Sequence, residues 1–371
     1  MGATEMVRQW RRGLQEVLPD LHGHVVNALA VFSLAMALAG HCHSGRLAAV
    51  APSPGAKAVS RRRRWERLLS NRRLRPREAT GLLARSLLPS LGSGTAGRKV
   101  VLVLDETPGG VKGRLRCMKL SAAYRKRVVP VAFECYEPHD PPLPMPRLLW
   151  RLLRRAARSL PGCEVTLPGC EVTLLADRGL SWPSVLDCCR TLGWHYVLRL
   201  QRDARVRPPD GTERRAWELA RFRGSRWYGE GVAVFKKAGW RQANVVATWE
   251  KGCKERWLLV TDLPATFMRC RNYCRRCWCE QSHRDEKSHG FNWQLSRVRD
   301  PDHAARLVLV MALATLLCLS LGTSVLKRGL RRLLEPARRR LLSVFQLGLR
   351  WLHDSLVNGR DCRCEPYLHP S

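Results

Sequence analysis

Tyr273, Arg276, Glu280 and Lys287 are spaced so that a helix would gather them on one side. A helix advances about 100° per residue. With Tyr273 at zero, Arg276 falls at about −60°, Glu280 at about −20° and Lys287 at about −40°. An aromatic ring, a guanidinium, a carboxylate and an ammonium then share a narrow stripe. Such a stripe suits a phosphate held beside a metal ion better than it suits a core. By itself it is also what a solvated basic helix face looks like.

Two further carboxylates change that balance. Lys99–Leu104 is a nearly continuous β-branched and apolar run that ends in Asp105-Glu106-Thr107-Pro108-Gly109-Gly110. Val172–Ala176 is a second such run and ends in Asp177-Arg178-Gly179. Runs of this kind read as strands buried on both faces. An acid at the end of a buried strand is a common metal ligand, and also a common turn cap. Asp105, Asp177 and Glu280 brought together would offer three carboxylates from separate elements. Mg²⁺ favours a few carboxylates with water and phosphate oxygens completing its shell. Two such ions can clamp the attacking and leaving oxygens of an in-line phosphoryl displacement.

The elements that must position these groups follow in order. Residues 1–95 read as an all-helical, basic domain, with helices at Glu5–Val17, Leu21–Ala39 and Ser60–Leu69 and a break at Pro52–Gly55. Arg61, Arg62, Arg63 and Arg64 precede Trp65, and Arg72, Arg73 and Arg75 follow. That cluster predicts a phosphate-contacting surface with an aromatic available for stacking. Ser90–Gly97 reads as a linker. Residues 96–202 and 263–325 read as one α/β catalytic domain. Its strands would be Lys99–Leu104, Leu115–Ser121, Arg127–Tyr136, Val172–Ala176 and Trp194–Leu200, and its helices Arg147–Ser159 and Ser181–Leu192. The heptapeptide Pro-Gly-Cys-Glu-Val-Thr-Leu occurs twice in tandem, over residues 161–174, far below the length of a solenoid repeat. Residues 203–262 hold short alternating runs with turn signals and five tryptophans, which predicts an antiparallel β insertion. The charged stretch should form a helix from Met268 to Ser288, stopped by Gly290, with an apolar helix at Ala304–Val325 beneath it. Residues 326–371 read as a basic C-terminal region, helical before a loose end.

Lys and Arg number 65 against 31 Asp and Glu, a net charge of +34 spread along the chain. A globular protein this basic repels itself unless it meets a polyanion. Nucleic acid leads, since neutralising phosphates releases counterions. A membrane-surface role leaves the three acids without a purpose, and the apolar segments Val25–Ala39 and Leu307–Leu321 are short for a span and read as buried helices. No secretory pattern opens the chain, so the fifteen cysteines are expected to be reduced thiols in a cytosol. Cys274-x2-Cys277, with Cys279, His283 and His289 nearby, invites a zinc site. One helix carrying Cys and Arg in close succession cannot turn all its thiols to one ion, so packing as small hydrophobes is the stronger expectation.

The spacing Tyr273-x2-Arg276-x3-Glu280-x6-Lys287 resembles the signature of one branch of the DDE-type transposases of bacterial insertion sequences. Val-Leu-Val-Leu-Asp-Glu-Thr at residues 101–107 and Leu-Leu-Ala-Asp-Arg-Gly at residues 174–179 resemble that family's two aspartate motifs. The resemblance spans roughly Arg61 to Val325. It implies an RNase H-like catalytic fold and metal-dependent DNA strand cleavage, followed by strand transfer into target DNA. Asp105, Asp177 and Glu280 would bind two Mg²⁺, with Mn²⁺ able to substitute. Tyr273, Arg276 and Lys287 would contact phosphates near the cleaved end. An aromatic of the β insertion could stack on a flipped base, with Trp257 the choice among equally plausible tryptophans, while packing in the core of the β unit is the other reading of each. The implied partner is double-stranded DNA bound by a homodimer on paired ends, with no membrane, in a bacterial cytoplasm near the nucleoid. The competing class is a transposase-derived DNA-binding protein without catalysis. Cys270, Cys274, Cys277 and Cys279 crowd the signature helix, where ordinary apolar residues are expected.

Overall fold

The computed structural model describes residues 2–91, 98–160 and 170–368. Five helices come first: α1 (Ala3–Val17), α2 (Gly23–Ala39), α3 (Ser44–Val50), α4 (Ala58–Ser70) and α5 (Pro76–Leu91). The sheet then begins with β1 (Arg98–Gly109), β2 (Leu115–Tyr124) and β3 (Arg127–Tyr136), followed by α6 (Met145–Ala157), β4 (Cys170–Ala176), α7 (Pro183–Thr191) and β5 (His195–Arg199). Five more strands follow: β6 (Arg205–Arg207), β7 (Arg214–Arg215), β8 (Arg226–Val234), β9 (Arg241–Thr248) and β10 (Trp257–Thr261). Last come α8 (Met268–Tyr273), α9 (Cys277–Glu286), α10 (Pro301–Lys327) and α11 (Val344–Val357).

The chain is mixed α/β around one ten-stranded sheet of order β3-β2-β1-β4-β5-β10-β9-β8-β6-β7. β2 runs antiparallel to both β1 and β3, while β1, β4 and β5 run parallel. The strands expected as an insertion, β6 to β10, are antiparallel to their neighbours, and they extend this same sheet because β10 pairs with β5.

Side chains alternate between the faces of a strand, and the core follows that rule. Val100, Leu102 and Leu104 of β1 face one buried cluster with Leu174 and Ala176 of β4, covered by α6 and α7. Val103 and Leu175 face the other side, where Cys270, Tyr273 and Cys279 pack on them. The β1–β4 parallel ladder ends at Leu104 paired with Ala176. Asp105 and Asp177 are the next residues on adjacent strands. Both continue the face of Val103 and Leu175, the face that meets α8 and α9.

α10 occupies the middle of a third buried cluster with α1, α2, α4 and α11, together with residues of β2 and β3. Asp300 caps its start by accepting from the His303 N–H at 2.7 Å, with Pro301 as its first residue. Among the described residues α10 is the one helix long and apolar enough to cross a membrane, and 89% of its most apolar stretch is buried inside the protein. The Gly322 that interrupts its apolar run has a packing reason. A Cβ there would lie 1.8 Å from the Val344 carbonyl oxygen, and one on Gly348 of α11 would lie 1.7 Å from that of Cys318. The two backbones touch at these glycines.

Three expectations need correction. β1 does not stop at Leu104 but runs to Gly109, because β2 pairs with it to the end, and Asp105 sits opposite Lys119. The single helix expected from Met268 to Ser288 is α8 and α9 joined by a tighter turn at Cys274–Arg276, and it ends at Glu286. The end is fixed where the Phe291 N–H turns back to donate to the Asp285 carbonyl at 2.9 Å. The tail expected to be loose packs on α1 instead: Cys362, Cys364 and Leu368 are buried, and the Tyr367 hydroxyl meets Glu16 at 2.5 Å. Much of the expected linker, residues 92–97, and most of the tandem heptapeptide, residues 161–169, lie outside the described residues.

Candidate active site

Three carboxylates meet at one guanidinium. Arg276 Nη2 lies 3.5 Å from Asp105 Oδ1 and 3.4 Å from Asp177 Oδ2, and Nη1 is hydrogen-bonded to Glu280 Oε1. Each acid arrives by a different route. Asp105 is carried by β1 and its side chain is 11% exposed. Asp177 follows β4, where its Oδ1 accepts from the Gly179 and Leu180 N–H groups at 2.9 and 3.3 Å, while Oδ2 faces Arg276. Asp177 thus caps its turn with one oxygen and meets Arg276 with the other. Glu280 projects from α9 one helical turn beyond Arg276, half exposed.

Burial works against the charge on Arg276, but the neighbouring groups, Asp105 first and then Cys279, Tyr273 and Asp177, together outweigh it, so its pKa is raised. The Cys279 thiol donates to Asp105 Oδ2 at 3.1 Å, and His283 Nδ1 lies 3.6 Å from the same oxygen. Burial, then the charge on Asp105, holds the Cys279 thiol protonated far above its usual range. Burial and the nearby Lys119 ammonium keep His283 below the ordinary imidazole value. In the sequence both figure only as possible zinc ligands, not as partners of Asp105. The helical arithmetic does contain a signal for His283, which falls at about −80°, within about 20° of Arg276.

Lys287 lies just past the end of α9, so its place on the stripe does not come from helix geometry. Its ammonium donates to Thr107 Oγ1 at 2.9 Å, which brings it beside β1, and burial lowers its pKa. Tyr273 is 3% exposed. Its ring meets Trp257 edge-on, with centroids 5.5 Å apart. Burial raises its pKa, and its hydroxyl feels the charges of Arg276, Arg199 and Asp177. Trp257, half-buried on β10, therefore packs beside the acids as part of the sheet.

The N-terminal arginines are mostly engaged locally. Arg61 donates to the Ala51 carbonyl at 3.1 Å, Arg62 to Glu66 at 2.9 Å and Arg64 to Ser53 Oγ at 3.3 Å, while Arg63 is exposed. Trp65, expected as a stacking surface, is 2% exposed and packs against Phe32 with ring centroids 5.1 Å apart. It is core because it falls on the face of α4 that meets α2.

α9 is clamped from below. Lys119 Nζ donates to Glu286 Oε1 and Oε2 at 2.6 and 2.5 Å, with both side chains buried. Arg127 pairs with Asp285, and the Val128 N–H donates to Ser282 Oγ at 2.8 Å. Burial pushes the Asp285 carboxyl up to about 6, with Arg127 opposing the shift.

Among the described residues no group of three or more His, Cys, Asp or Glu side chains is drawn together tightly enough to hold a metal ion by itself. The thiols expected to pack divide accordingly: Cys279 is buried against Asp105, while Cys274 and Cys277 are exposed. The three acids are spread around Arg276, whose guanidinium stands in for a cation. Their chemistry, all carboxylate oxygen, fits a hard dication such as Mg²⁺.

The sequence model of the family described as Transposase DDE domain matches residues 96–317, more than half of the chain and all of this site. No curated protein matches the chain significantly.

Proposed function

The chain belongs to the transposase DDE-domain family, and from that premise we propose that it cuts DNA at the ends of a bacterial insertion sequence and joins the freed 3′-hydroxyls to target DNA by cut-and-paste movement. The observation that carries this reading is the contact of Arg276 with Asp105, Asp177 and Glu280 at once. The order β3-β2-β1-β4-β5, with β1, β4 and β5 parallel and β2 reversed, supports an RNase H-like catalytic fold.

Asp105, Asp177 and Glu280 would hold two Mg²⁺, with Mn²⁺ able to substitute, and bound there the ions would supply a clamp on the attacking and leaving oxygens of an in-line displacement. With the acids so engaged, Arg276 would be free to grip a phosphate through two parallel hydrogen bonds. Lys287, steadied by Thr107, offers a point charge to the same strand. Tyr273 and Trp257, packed ring against ring, would form an apolar wall beside these groups. Cys279 and His283 hold Asp105 in orientation.

The test is a labelled duplex carrying the short inverted repeats expected on either side of the reading frame. With Mg²⁺ the wild type should release the element end and, given target DNA, join it. A protein that binds this duplex and never cuts it is a DNA-binding derivative, and the proposal then fails.

A further inference from the structure

We propose that a groove on the flank of α9, beside the acid cluster, seats the DNA backbone running to or from it. The inference rests on DNA being the substrate. The groove, of about 740 Å³, lies between the turn that joins β2 to β3 and the segment 331–342. Arg125, Lys126, Arg127, Arg331 and Arg340 line it, and among the described residues no carboxylate does. α9 forms its third wall through Trp278 and Gln281.

Three observations point to a nucleic-acid backbone. The first is charge supply. Arg127 and Arg331 are paired with Asp285 and Glu335. Lys126 and Arg340 are exposed and carry no ion pair among the described residues, so their charges are available to phosphates. The second is position on the helix. Gln281 follows Glu280 directly, so the groove opens about 100° around α9 from the acids. A strand presents one phosphate per about 3.4 Å of duplex axis, so a strand engaged at the acids has further phosphates within reach of this wall. The third is rigidity. Glu335 Oε2 accepts from the Leu341 and Leu342 N–H groups at 3.0 and 2.9 Å, which fixes the segment that carries Arg340. Arg125 and Lys126 sit at a tight turn with φ of 44° and 64°. The charges are thus held by ordered backbone and not by a loose tail.

The experiment is equilibrium binding of a short fluorescent duplex across a salt series in EDTA, comparing wild type with the Lys126→Gln/Arg340→Gln double variant. Both positions are exposed, so folding is retained, and thermal melting verifies it. Each phosphate contact adds about 0.9 to the slope of log affinity against log salt. The double variant should bind on the order of tenfold more weakly, with a slope smaller by about two. An unchanged slope and affinity would overturn the inference. So would loss of binding to polyglutamate without loss of binding to DNA, which would assign the groove to an acidic polypeptide. Because the readout needs no metal and no turnover, a wild type that binds through these residues but never cuts leaves this inference standing and defeats only the cleavage reading.

Discussion

A guanidinium held among three carboxylates offsets only part of their negative charge. On the proposed reading Arg276 has two competing roles, partner of Asp105, Asp177 and Glu280 or partner of a phosphate. Replacing it with Gln should leave three acids repelling one another. Without metal, the Arg276→Gln variant should melt roughly a few degrees below wild type. Mg²⁺ no longer competes with the guanidinium, so saturating Mg²⁺ should raise the variant's melting point by more than it raises that of wild type. Differential scanning fluorimetry with and without Mg²⁺ reads both, and equal shifts in the two proteins would contradict the competition. At this scale much was legible in the sequence. Asp105 and Asp177 were marked by apolar runs that end in acids, and Arg276 and Glu280 by their helical spacing. The contact of Cys279 and His283 with Asp105 is not legible, because Asp105 is distant in the chain, and the sequence offers these two only as zinc-site candidates. Lys287 was placed beside the site for a reason that does not hold, since the helix has ended before it.

The elements do the positioning through contacts that no local pattern reveals. α9 is fastened to β2 and β3 by Lys119–Glu286 and Arg127–Asp285, whose members lie in the chain on either side of most of the sheet. Removing one partner of a buried pair strands the other charge, at a cost of about 3–5 kcal/mol. Lys119→Met should lose stability of that order in urea unfolding. Adding Glu286→Leu should restore a large part of it, because an apolar pair replaces the stranded carboxylate. A double variant no more stable than Lys119→Met would show that the pair is not what holds α9. Strand positions were readable because buried strands are compact β-branched runs. The antiparallel character of residues 203–262 was readable from their alternation. Their union with the main sheet was not, since it depends on Leu259 of β10 meeting Arg199 of β5.

At the scale of the whole molecule, one sheet separates two apolar layers, and α10 ties the N-terminal helices and the C-terminal tail into the same core. Composition indicated polyanion binding through a net charge of +34, but not where the charge is concentrated. The contact of α10 with α11 is the most demanding packing in that layer, since Gly322 and Gly348 admit no side chain. Gly322→Val should cost at least about 1–3 kcal/mol through overpacking, seen as a lower melting temperature. A melting point equal to wild type would mean that the two backbones are not in contact. The sequence showed Gly322 only as an interruption in an apolar run; its purpose depends on a helix that arrives twenty residues later in the chain.

On the proposed reading Asp105, Asp177 and Glu280 act together on DNA. It is tested most directly by measuring Mg²⁺-dependent cleavage and DNA affinity side by side for Asp105→Asn, Asp177→Asn and Glu280→Gln. Each variant should bind the duplex at least as tightly as wild type, because each removes a negative charge. Each should cut it more slowly by a factor on the order of a thousand or more, the scale of losing one preorganised group that stabilises transition-state charge. Cleavage near the wild-type rate in any one of the three would contradict the account.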